Sequence, residues 1–121
     1  MLTIRRAQLE ALRQALTDAL HFRLVKDLRG ACRQQTSSMS DDEMKALCSR
    51  EIAVARTYDI VAEDDVLRYL VLVLRHGRGF GVDPETAWAG PILRRDDLEA
   101  HQKLNLIDEY ARFGQGERRR G

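Results

Sequence analysis

Apolar residues along this chain recur mainly at three- and four-residue steps, the period of a helix, with little of the strict alternation of a half-buried strand. Leu9, Leu12, Leu16, Leu20, Leu24 and Leu28 form the clearest such series. Thr3 can cap a helix entered near residues 4–6. Thr17 and Asp18 supply a second capping signal midway, so the segment reads either as one long helix or as two meeting at a bend. Packing of the leucine stripe within the chain is expected, with coiled-coil pairing between chains as its other use. The pattern lapses over residues 30–39, where QQTSSMS reads as a polar connection with too little apolar mass to order itself.

A helix restarts at Ser40, with Glu43 three residues later as a capping box and Asp41 and Asp42 in the first turn. Met44, Leu47, Cys48, Ile52 and Ala55 share one side, and the helix is expected to end near Arg56 or Thr57. Tyr58, Asp59 and Ile60 then make a tight corner, in which Asp59 tolerates a left-handed backbone. The densest apolar run follows: Val66, Leu67, Leu70, Val71, Leu72, Val73 and Leu74. Periodicity cannot arbitrate so dense a run, but its ends can. Glu63, Asp64 and Asp65 suit a helix N-terminus, Arg75 and His76 suit the last turn, and Gly77 suits the residue after it. The spacing predicts a helix over 62–76, about 22 Å long, with Arg68 and Tyr69 as its main polar relief, at the centre of the core.

After Gly77 comes RGFGVDPETAWAGPIL. Asp83 before Pro84 reads as an N-cap followed by proline at the first helical position, opening a short helix that carries Trp88. Phe80 is expected in the core and Asp83 to tie the loop by capping. Pro91 can start another turn. Asp96 or Asp97 caps a last helix with Leu98, Leu104, Ile107 and Tyr110 on its apolar side, ending near Phe113 with Gly114 as a stop. The whole predicts an all-α single domain over 1–113, a bundle of four longer helices plus the short Trp-bearing one, with 114–121 as a frayed basic tail.

A length of 121 residues agrees with one core. The formal charge of +1 argues against wholesale attraction to nucleic acid or membrane. Charge is uneven, however: residues 1–35 hold seven basic and three acidic side chains, residues 36–65 three and eight. Such asymmetry docks one helix on the next or offers two faces to partners. No apolar stretch reaches the roughly 18 residues of a bilayer span. MLTIRRAQLEALRQ lacks a signal-peptide core, so a cytoplasmic site of action is expected. Cys32 and Cys48 form no CxxC and read as core or boundary thiols.

The remaining motifs point to no reaction. GRGFG, with Gly77, Gly79 and Gly81, stops short of a dinucleotide fingerprint and follows a helical run. The pairs Asp41-Asp42, Asp64-Asp65 and Asp96-Asp97 all fall at expected helix starts, where the macrodipole accounts for them. His21, His76 and His101 are scattered over three helices. No catalytic residue, cofactor or metal is expected. Arg5, Arg6 and Arg13, or Arg118, Arg119 and Arg120, could meet phosphates, yet no helix reads as a basic recognition helix, and nucleic acid is disfavoured. Trp88 suits a binding hot spot or a core plug equally.

The order MLTIR, ARTYDI, DVLRYLVL, a Gly-Phe-Gly-x-Asp loop and AWAGPIL resembles a small bacterial all-helical family, itself uncharacterised, whose members are encoded beside type VI secretion effectors, PAAR-tip proteins and their chaperones. The likeness runs over nearly the whole chain, through short apolar motifs. Tyr58-Asp59-Ile60 stands where the family has a Tyr-Gly-Ile corner, and Ala87-Trp88-Ala89 where it has a Pro-Trp-Ala step. The resemblance implies a non-catalytic accessory or co-chaperone that helps load an effector. Its partner would be another protein, an effector or chaperone of the secretion complex. Phe80, Asp83 and Trp88 match the pattern and are the candidate partner-binding residues. A toxin-neutralising immunity protein and a small DNA-binding regulator are the alternatives.

Overall fold

The structure, a computed structural model, describes the backbone of residues 2–120 and the side chains of residues 5–112. It is all-α, with α1 (Leu2–Ala31), α2 (Arg33–Thr36), α3 (Asp41–Thr57), α4 (Glu63–His76), α5 (Ala89–Leu93) and α6 (Ala100–Arg120), and no strand among the described residues. Four of these helices are long, as the periodicity implies. Contacts gather into two units, Met1–Ser49 and Arg50–Gly121.

In the first unit α1 runs unbroken through Thr17 and Asp18, so the segment is one helix. The side chain of Thr3, the expected cap, lies outside the described residues. The leucine series does not form one buried face. A four-residue step overshoots a 3.6-residue turn by about 40°, so Leu12 and Leu28 end about 160° apart. Leu24 and Leu28 are fully buried beside Val25, whereas Leu9, Leu12 and Leu16 are 51%, 56% and 62% exposed. Packing of the whole stripe within the chain is therefore corrected: only its C-terminal end joins the core, with Cys32, Met44, Leu47 and Cys48.

The polar connection is ordered by hydrogen bonds instead of apolar mass. Arg29 donates to the carbonyls of Thr36 (3.0 Å) and Met39 (2.9 Å) and to the Asp41 carboxylate (2.8 Å). The buried Thr36 hydroxyl donates to the Cys32 carbonyl. One guanidinium thus closes the turn around α2, using the fork geometry that only arginine offers. At the start of α3 the capping box is complete: Glu43 N–H donates to Ser40 Oγ and Ser40 N–H to Glu43 Oε1, both at 3.1 Å.

In the second unit α3 ends in a Schellman turn. Ile60 N–H reaches the Ala55 carbonyl and Asp59 N–H that of Arg56, with Asp59 at φ 61°. Ala55 and Ile60 are buried, supplying the apolar contact that accompanies this motif. Ala62 precedes α4 in an extended conformation, and Gly77 N–H caps the far end on the Val73 carbonyl. Val66, Leu70, Leu72 and Val73 are buried, as expected of a central helix. Tyr69 is not polar relief: its ring is buried, with the Tyr58 and Phe80 rings 6.3 and 6.4 Å away. Burial, then the negative charge of Glu51 and that of the ionised Tyr58 phenol, push the Tyr69 phenol well above its ordinary range.

Arg68 ties α4 to α6 by donating to Asn105 Oδ1 (3.0 Å) and Asp108 Oδ2 (2.7 Å). The start of α6 differs from expectation. Glu99 N–H, not a group capped by Asp96 or Asp97, is satisfied by Gln102 Oε1 at 2.8 Å. Asp97 is taken by Arg95, whose hydrogen bond holds the carboxyl below its ordinary range. Leu98 consequently precedes α6, while Leu104 and Ile107 fill the core from it. The helix does not stop at Phe113 and Gly114 but continues to Arg120. The side chains of Arg118, Arg119 and Arg120 lie outside the described residues.

Candidate interaction surfaces

The glycine loop between α4 and α5 is a succession of tied turns. Phe80 N–H donates to the Gly77 carbonyl, Asp83 N–H to that of Gly79, and Thr86 N–H to that of Asp83. Thr86, buried, is the residue that locks it. Its Oγ1 accepts from Gly81 N–H at 3.1 Å and donates to the Gly79 carbonyl at 3.4 Å. Gly81 takes φ 87°, and its carbonyl oxygen sits where a Cβ on Gly90 would fall, 2.6 Å away. The two glycines let the loop lie directly on α5.

This geometry separates the three candidate residues. Phe80 is 3% exposed and packs edge-on with His76 (5.4 Å) and against Tyr69 and Trp88, so it shapes the loop from below and offers little surface to a partner. Asp83 is exposed; its carboxylate lies against Gly79, and its backbone N–H and carbonyl make the turn bonds to Gly79 and Thr86. Trp88 stands immediately before α5, already helical at φ −59° and ψ −27°. Its ring is half-buried and stacks on Tyr110 of α6, centroids 4.4 Å apart and planes 25° from parallel. Its Nε1 is buried without a hydrogen-bond acceptor among the described residues. Tyr110 and Val82 remain exposed, giving this region an apolar surface.

The second surface is the N-terminal half of α1. Every residue from 5 to 19 is exposed, so fifteen positions of continuous helix carry no cover from the described residues of the first unit. Arg5, Arg6 and Arg13 stand there with Leu9, Leu12 and Leu16; Arg13 makes a 3.5 Å ion pair with Glu10, and Gln14 a 2.9 Å hydrogen bond to Asp18. A helix of this length is marginal in water by itself, since its stability in proteins comes mostly from packing of one face.

A third arrangement escapes sequence reasoning altogether. Lys103 of α6 is 2% exposed, and its Nζ donates to the carbonyls of Tyr58 (2.8 Å) and Leu93 (2.9 Å). It closes the carbonyl ends of α3 and α5 from within the core, a structural tie. The histidines lie on α1, α4 and α6, and no group of three or more His, Cys, Asp or Glu among the described residues could hold a metal ion. Cys32 and Cys48 are buried free thiols, and desolvation pushes that of Cys48 up to about 11. Among the described residues no helix is long and apolar enough to cross a membrane. No family model, curated protein or solved structure matches the chain.

Proposed function

We propose that this chain is a non-catalytic protein-interaction module, an accessory or co-chaperone that helps load a type VI secretion effector in the cytoplasm. The observation that carries the interaction reading is the uncovered half of α1, where Leu9, Leu12 and Leu16 are each more than half exposed. Contiguous apolar side chains on a bare helix are characteristic of a surface that another protein covers. The tied Trp88–Tyr110 region is a second, rigid surface, and rigidity before binding lowers the ordering cost of association. The secretion context comes from the resemblance carried by residues such as Phe80, Asp83 and Trp88.

The test is co-expression of the tagged chain with the effector and chaperone of the secretion cluster. Retention of either one, lost in Leu12→Glu or Trp88→Ala while helicity is unchanged, supports loading. Recovery of neither at moderate salt sinks the proposal. Rescue of cells from the effector by this chain alone would make it an immunity protein. Salt-dependent duplex binding lost on substitution of Arg5, Arg6 and Arg13 would make it a regulator.

A further inference from the structure

We infer that the exposed half of α1 docks an acidic amphipathic helix of the partner protein, an inference that rests on the interaction reading above. The argument starts from the width of the apolar surface. At about 100° per residue, Leu9, Leu12 and Leu16 fall within about 60° of one another, with Ala19 and Leu20 continuing the line. This is a narrow seam of three- and four-residue steps, the shape that accepts the apolar stripe of one other helix. A helix lying on lipid needs a broad apolar face. Here Arg5 falls on the seam itself, about 15° from its centre.

Charge then selects among helices. Arg13 and Arg6 lie about 65° and 85° from the centre of the seam, close enough for their long side chains to flank it. Glu10 and Asp18, the two acids of the same stretch, lie about 125° and 155° away and face outward. One side of the seam is therefore basic, with Arg6 and with Arg13, which also pairs with Glu10 at 3.5 Å, while Gln8 and Ala15 border the other side; all three arginines are exposed. An antiparallel second copy would set the two arginine sides against each other, like charge against like. A helix with Asp or Glu beside its apolar stripe meets that basic side with charge-assisted, bidentate pairs.

The experiment uses the full chain and two labelled synthetic peptides of three heptads, both with Leu at the seam positions, one flanked by Glu and one by Lys. Fluorescence anisotropy should show the acidic peptide binding about tenfold or more tightly than the basic one, with the preference weakening as salt rises. Leu12→Glu should abolish binding, and the double change Arg6→Glu with Arg13→Glu should reverse the preference; circular dichroism confirms that each variant keeps its helicity. Equal binding of both peptides, or of neither, overturns the inference. So does a dimer in sedimentation that Leu12→Glu dissolves, or binding to phosphatidylglycerol-containing vesicles without binding to the acidic peptide. The interaction reading itself is judged separately by effector retention, which can persist through another partner helix even if the acidic preference fails.

Discussion

The ammonium of Lys103 lies 2.8 Å from the backbone carbonyl of Tyr58, a residue 45 positions earlier. The same nitrogen serves Leu93, so one side chain joins α3, α5 and α6. Lys103→Met keeps the apolar stem and removes both bonds, leaving two carbonyls without their donor. Hydrogen bonds from a charged group are worth about 1.5–3 kcal/mol each. A loss of about 2–5 kcal/mol in urea unfolding is expected, and a change below about 0.5 kcal/mol would show that the tie is incidental.

Leu70 and Leu12 are both leucines on helices and should respond oppositely. Leu70 is fully buried in α4, and Leu70→Ala should cost about 2–5 kcal/mol through lost burial and the cavity left behind. Leu12→Ala should shift stability by no more than about 0.5 kcal/mol, because the side chain is largely exposed and alanine favours helix. Equal losses at both positions would contradict the bare arm.

Trp88 is the only tryptophan, so its emission reports the loop directly. Trp88→Phe removes an indole N–H that is buried without an acceptor among the described residues and retains a ring for Tyr110. Stability should change by less than about 1 kcal/mol, because relief of the unsatisfied donor offsets the smaller ring. Trp88→Ala, which loses the stack and the contact with Phe80, should cost about 2–4 kcal/mol. Thermal unfolding of the pair separates the two effects.

The Cys48 thiol, raised by burial from 9.0 to about 11, makes stability fall on the alkaline side. Below pH 9 the thiol is protonated in both folded and unfolded chains, so its contribution is fully present. Between the unfolded and folded values only the unfolded chain ionises, and stability declines by about 1.4 kcal/mol per pH unit from this group. Cys48→Ala should flatten that part of the pH profile. An unchanged slope would place the proton loss elsewhere.

Local chemistry was the legible part of this fold. The Ser40–Glu43 box, the acidic and basic ends of α4 and the left-handed Asp59 each depend on neighbours within a few positions, and each stands as the residues imply. Lys103, Arg29 and Tyr69 were not legible, because their burial is decided by carbonyls and rings that the fold brings to them. The leucine stripe misleads for a different reason: the small mismatch between a four-residue step and the helical turn accumulates until its two ends face different surroundings. Of the candidate site, Phe80 was readable as core, whereas the Trp88–Tyr110 stack joins residues 22 positions apart and no local pattern announces it.

The bare half of α1 also fixes where the chain is open to cleavage. Arg5, Arg6 and Arg13 sit on helix whose residues 5–19 are all exposed, so local opening can present their peptide bonds without global unfolding. A trypsin-like protease should nick there first and spare the segment that carries Leu24 and Leu28 in the core. Resistance at Arg13 would then be a direct footprint of whatever lies along the seam.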